Sequence, residues 1–140
     1  MFKVGSVFVP VTDLKKSASW YEENLGVKKI DEWEDGAGFY FPSGSTQLGL
    51  VETAAPQPTE FAINGKKKNV YFNYVVEDID EVHGHLQSRG VVTTDIEDFG
   101  GMKGFDFYDP DGNTFSVVDE GQGSPFHSDN IKRLQGNDLE

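Results

Sequence analysis

The chain repeats itself at an offset of about 65 residues. Asp13 returns as Asp78 after 65 positions and Gly26 as Gly90 after 64. Gly38-Phe39-Tyr40-Phe41 returns as Gly104-Phe105-Asp106-Phe107 after 66, and Gly44 as Gly112 after 68. Four landmarks in one order at a nearly constant offset indicate a duplicated supersecondary unit. A unit of this length would be marginal alone, because a short chain buries too little of its surface. Two units together form one domain over residues 1–120.

Each copy reads in the same order. Phe2 to Val11 is apolar and β-branched, with Val7, Val9 and Val11 on alternate positions, which is the period of a strand. Asp13 offers a helix N-cap, and Leu14, Ala18, Tyr21 and Leu25 then recur at helical spacing up to Gly26. Val27 to Trp33, Gly38 to Phe41 and Thr46 to Val51 are three further strand candidates, separated by Asp35-Gly36 and Pro42-Ser43-Gly44. In the second copy Val70 to Val76 is strand-like. Asp78 and Glu81 make a capping box, Ile79, Val82 and Leu86 a helical stripe, and Gly90 its end. Val91 to Ile96, Gly104 to Phe107 and Thr114 to Val118 complete it. The reading is an α+β fold. Module 1 covers about 2–52 and module 2 about 70–118. Residues 53–69, with two prolines, Gly65 and the run Lys66-Lys67-Lys68, form a solvated linker, and 121–140 a polar C-terminal tail. Phe126, Ile131 and Leu134 in that tail offer the alternative of docking on a partner subunit.

Charge narrows the partners. Twelve basic residues against 24 acidic give a net charge of −12, which disfavours phosphate backbones and anionic membrane surfaces. The chain has no cysteine, hence no thiol nucleophile, disulfide or Cys-based zinc site. No secretory signal pattern or membrane-length apolar run is read, so the expectation is a soluble cytoplasmic protein without nucleic-acid or membrane partners. There is no Gly-x-Ser-x-Gly elbow and no phosphate loop.

Strand parity divides core from open face. With Val7, Val9 and Val11 towards the helix, Ser6, Phe8 and Pro10 face away. Val70, Phe72, Tyr74 and Val76 turn inward, leaving Tyr71, Asn73 and Val75. Phe115 and Val117 leave Thr114, Ser116 and Val118. These mixed polar and aromatic sets suit a binding cleft better than a dry core.

Val9-Pro10-Val11-Thr12-Asp13-Leu14 with Ser19-Trp20-Tyr21 and Leu25-Gly26, and Phe107-Tyr108-Asp109-Pro110-Asp111-Gly112-Asn113 near the end, resemble the vicinal oxygen chelate superfamily. This is the glyoxalase, bleomycin-resistance and extradiol-dioxygenase group. The resemblance covers about residues 1–120. It implies two tandem βαβββ modules forming a curved mixed sheet around a cleft, with the helices outside, and a homodimer. It also implies that catalytic members hold a divalent ion on the first, fourth, fifth and eighth strands, using His, Gln or Glu. Carried over by position, those four places fall on Ser6, Leu48, Tyr71 and Ser116; a slip of one residue would put Gln47 in the fourth-strand place. Hydroxyls and an aliphatic side chain are poor ligands, so neither a metal nor another cofactor is expected. His83 and His85 point about 200° apart on their helix and cannot share an ion. His127 lies in the tail.

The expectation is therefore a sequestering protein of the resistance type. Its ligand is a small molecule, cationic or aromatic, and its cleft is walled by Phe8, Trp33, Tyr40, Tyr71, Asn73, Met102 and Asp106. The alternative is a lyase or dioxygenase of the same superfamily with a displaced metal site, or a metal-free isomerase using Asp106 and Tyr71 as acid and base.

Overall fold

The computed structural model describes residues 1–139, and the side chains of residues 1–136. It divides into two compact units: residues 1–69 with Tyr108–Asn113, and Val70–Phe107 with the residues from Thr114 onward. Among the described residues no helix is long and apolar enough to cross a membrane.

The first unit runs β1 (Ser6–Val11), α1 (Leu14–Leu25), β2 (Lys28–Trp33), β3 (Gly36–Tyr40) and β4 (Gln47–Glu52). Its four-stranded sheet has the order β1-β4-β3-β2, with β1 parallel to β4 and the other pairs antiparallel. The parallel β1–β4 pair needs a crossover, and α1 supplies it. The helix starts where Asp13 accepts a hydrogen bond from Lys16 N at 3.1 Å, and Glu52 captures Leu14 N at 2.9 Å, satisfying a second amide of the first turn. Val9, Val11, Ala18, Tyr21, Val27, Ala37, Phe39, Leu48 and Leu50 are buried between helix and sheet. Each large apolar side chain there stabilises the fold by about 1.5–3 kcal/mol relative to exposure.

The turn Tyr108–Asn113 belongs to this unit, although the strands on either side of it belong to the other. The reason is its polar wiring. Asp109 is buried, and its Oδ1 accepts from Asp111 N and Asn113 N, both at 2.9 Å. Its Oδ2 accepts from Tyr21 Oη at 2.6 Å and Asn113 Nδ2 at 2.8 Å. Asn113 Nδ2 also donates to Pro10 O at 2.9 Å, and Asp111 accepts from both the amide and the hydroxyl of Thr12. The Asp-Pro-Asp-Gly-Asn sequence is thus a clamp on the β1–α1 junction.

Residues 53–69, expected as a linker, contain a hairpin of β5 (Glu60–Asn64) and β6 (Lys67–Val70). Gly65, at φ 52°, makes the turn. The three lysines are exposed in the turn and on β6, in keeping with a solvated run.

The second unit runs β7 (Asn73–Val76), α2 (Ile79–Ser88), β8 (Glu97–Asp98), β9 (Lys103–Tyr108), β10 (Thr114–Asp119) and α3 (Ser128–Leu139). The sheet order is β7-β10-β9-β8, with β7 parallel to β10, repeating the first unit. The α+β class and the βαβββ order hold in both units. Asp78 caps α2 by accepting from Glu81 N at 3.1 Å, the same length as in the first copy. The core is more aromatic here: Phe72, Tyr74, Phe107 and Phe115 pack with ring centroids 5.4–6.0 Å apart.

Three elements differ from expectation. The strand expected over Val70–Val76 begins only at Asn73, because the β10 ladder reaches from Ser116↔Asn73 to Asp119↔Val76 and Val70 belongs to β6. Val91–Ile96 forms a single bridge, Thr93↔Phe107, rather than a strand. There Thr94 Oγ1 takes the amide of Asp106 at 2.8 Å, so a side chain replaces one rung of the ladder. The segment read as a tail carries α3, although its last residue, Glu140, lies outside the described residues.

Candidate functional site

Cross-strand partners share a face of a sheet. In the first unit the face turned away from α1 therefore carries Ser6, Phe8 and Pro10 on β1, Gln47, Gly49 and Val51 on β4, Gly36, Gly38 and Tyr40 on β3, and Asp31 and Trp33 on β2. Ser6, Phe8, Trp33 and Tyr40 lie there. Phe8 is 63% exposed, and Trp33 and Tyr40 are about half exposed. The rings are laid on glycine. A Cβ at Gly49 would stand 2.6 Å from Phe8 Cδ1, and one at Gly36 2.5 Å from Trp33 Cε2. Two aromatic faces thus lie flat against backbone, with their outer faces open.

Leu48 does not belong to this set. It pairs with Val7 on the helix side and is 0% exposed. Its neighbour Gln47 stands beside Ser6 instead, in the Ser6↔Gln47 register.

In the second unit the corresponding face carries Asn73, Ser116, Asp106 and Gly104. Ser116↔Asn73 is the ladder pair, and Ser116 Oγ donates to Asp106 Oδ1 at 2.7 Å. Three of the sequence candidates are thereby brought together. Tyr71 is not among them: it sits before β7, outside the ladder, and is 69% exposed. Met102 is half-buried just before β9, beside Gly121, and does not line the cavity of this unit. The aromatic that does lie on this face is Phe99, whose Cε2 would be 3.2 Å from a Cβ on Gly104. Sequence reasoning missed it, yet the repeat holds the signal. Trp33 and Phe99 are 66 residues apart, the offset that relates Gly38 to Gly104.

Phe99, Gly104, Asp106, Ser116 and Val118, with Thr94, Asp95 and Glu97 at the mouth, line a cavity of about 230 Å³. Asp106 is held on three sides. Its amide donates to Thr94 Oγ1, its carbonyl accepts from Thr94 N at 2.8 Å, and its Oδ1 accepts from Ser116. His83 is engaged by Thr94 and Phe105, with Nε2 2.8 Å from Thr94 O and the two rings in a T-shaped contact.

In neither unit do these strand side chains make a good set for a divalent cation: the first offers the hydroxyl of Ser6 and the amide oxygen of Gln47, the second those of Ser116 and Asn73, and Gln47 alone is of a residue type that the resemblance names as a ligand. The carboxylate beside Ser116, that of Asp106, already accepts from its hydroxyl. Among the described residues no three His, Cys, Asp or Glu side chains gather in a way that could hold a metal ion.

Solved structures share this fold. The antibiotic-binding protein TnmS3 from Streptomyces sp. CB03234 matches with a TM-score of 0.69 and 22% identity, over 85% of this chain and 96% of its own. A member of the glyoxalase/bleomycin resistance protein/dioxygenase superfamily from Sphaerobacter thermophilus gives 0.68 and 26%, over 86% and 98%. The fosfomycin resistance protein FosX from Listeria monocytogenes gives 0.66 and 15%, over 85% and 93%. Comparison of the sequence with curated proteins found no match. The family model for the Glyoxalase/Bleomycin resistance protein/Dioxygenase superfamily matches residues 3–117, nearly the whole span of the duplicated units, and the chain belongs to that superfamily.

Proposed function

We propose that this protein binds a small molecule without a metal ion and acts by sequestration, as resistance-type members do. The observation that carries this reading is the pair of aromatic-on-glycine surfaces, Phe8 and Trp33 in one unit and Phe99 in the other. Each exposes a ring that an ordinary core would bury. Such rings hold a flat ligand by stacking, and each unit has polar groups on the same face to orient one, Gln47 in the first and Asn73, Ser116 and Asp106 in the second. The reading draws support from two structurally similar proteins, one that binds an antibiotic and one that confers fosfomycin resistance. It includes a homodimer, as the resemblance implies, and a place in the cytoplasm, as the sequence pattern suggests.

Metal analysis of protein purified without chelator, combined with a thermal-shift screen of antibiotics and aromatic dyes, tests it. The expected result is substoichiometric metal and at least one compound that raises the melting midpoint. Stoichiometric zinc, nickel, iron or manganese would overturn it in favour of a lyase or dioxygenase, and so would a screen with no hit.

A further inference from the structure

The cavity of the second unit makes a more specific statement, which rests on the small-molecule reading above. We propose that it recognises a ligand through a protonated amine or amidinium on an aromatic ring, with Asp106 Oδ2 as the acceptor. Oδ1 accepts from Ser116, and among the described residues nothing donates to Oδ2. Thr94 grips the Asp106 backbone at both its amide and its carbonyl, so the carboxylate stands on a fixed stem. The geometry therefore presents a pre-set acceptor that loses little freedom when a donor arrives.

The surroundings select the donor. Asp95 and Glu97 line the same cavity, so an anionic ligand group would meet three carboxylates, whereas a cation is drawn in. Phe99 is 59% exposed and offers a ring face that attracts a cation or stacks on a flat frame. Gly104 supplies a floor without a side chain and Val118 an apolar wall. At about 230 Å³ the space lies below the roughly 300–1,000 Å³ of sites for drug-sized ligands. It fits one ring and its amine, the head of a larger molecule.

Calorimetric titration of the full chain with tyramine, benzamidine, phenethyl alcohol and phenylacetate tests this. The aromatic amine and amidine are expected to bind at least tenfold more tightly than the neutral alcohol, with phenylacetate weakest. Asp106→Asn should cut that preference tenfold or more. Ser116→Ala, which frees the carboxylate to rotate, should lower the amine-to-alcohol ratio several-fold, and Ser116→Thr should restore it. A purely structural role for Ser116 would not move that ratio. Glu97→Gln, at the exposed mouth, gives a variant of low folding risk, and a two- to threefold fall in amine affinity is expected. If the alcohol or phenylacetate binds as well as the amines, or if Asp106→Asn leaves the ratio intact, the amine assignment fails and the binding reading survives. If none of the four binds, and the wider screen also finds no ligand, both fail.

Discussion

Asp109 shows how much one buried side chain can fix. Four donors from Tyr21, Asp111 and Asn113 converge on its two oxygens, and Tyr21 and Asn113 are themselves buried. Removing the carboxylate leaves several buried donors unsatisfied at about 1–3 kcal/mol each. Asp109→Ala should therefore lower the unfolding free energy by about 3 kcal/mol or more, read from urea denaturation. Tyr21→Phe, which deletes a single donor and leaves Asp109 with three, should lose only about 1–2 kcal/mol. Equal losses in the two variants would mean that the clamp is not wired as described. Gly49 shows the opposite kind of residue, whose worth lies in what it lacks. Gly49→Ala must displace the Phe8 ring, which has solvent to swing into, so the melting midpoint should move by no more than a few degrees. Affinity for any ligand that stacks on Phe8 should nevertheless fall. A variant that binds as tightly as the parent would remove Phe8 from the binding surface.

At the scale of elements, the helix caps give a direct test of the duplication. Asp13 and Asp78 cap α1 and α2 through the same bond at the same distance, 3.1 Å. Asp13→Ala and Asp78→Ala should thus cost similar amounts, about 1 kcal/mol each. Glu52 adds a second N-terminal contact to α1 alone. Glu52→Gln should consequently narrow the capped advantage of α1 by a few tenths of a kcal/mol. Both are measurable by chemical denaturation. The same elements show what could be read from sequence and what could not. Caps and apolar stripes are local signals, and both helices emerged from them. Strand register is not local. Tyr40 and Gln47 are ladder partners seven residues apart, whereas Asp106 and Ser116, joined by a hydrogen bond across their sheet, are ten apart. The second hairpin carries three more residues, so no single offset transfers across it. An offset of 68 selects Leu48, where the ladder neighbour of Ser6 is Gln47. One residue of slip moves a side chain to the opposite face, and that is the whole difference between a core leucine and an exposed glutamine. Counting back from Asp78 fails similarly, because β7 is shorter than β1 and Tyr71 is left outside the ladder. Phe99 escaped because it lies in a polar turn segment with two glycines after it, where nothing local marks a wall residue. The hairpin β5–β6 and α3 were hidden by polar composition.

At the scale of the molecule, charge is the dominant quantity that no single contact reveals. The chain carries 24 carboxylate side chains against 12 lysines and arginines. The Lys29–Glu32 and Lys103–Asp80 pairs, at 2.9 and 3.5 Å, are exposed and compensate little of it. Lys29 is held more firmly protonated by its hydrogen bond to Glu32, but that contact lies at the surface. A compact state with a net charge of −12 repels itself, and the expanded chain relieves that repulsion by spacing the charges out. Added salt shortens the screening length from about 30 Å at 0.01 M to about 3 Å at 1 M, and so relieves the folded state more than the unfolded one. The melting midpoint should therefore rise by several degrees between about 20 mM and 500 mM sodium chloride. Chloride is the suitable salt, since sulfate would also strengthen apolar burial. The same titration should act in the opposite direction on binding at Asp106. There the attraction between the acidic cavity and an ammonium ligand is screened, so affinity for tyramine should fall while affinity for phenethyl alcohol holds. Opposite signs for stability and for amine binding in a single salt series separate a general field from a specific contact. A midpoint that stays flat would mean that the carboxylates are spread too widely to repel. An amine affinity that stays flat alongside a rising midpoint would place the ligand's charge away from Asp95, Glu97 and Asp106.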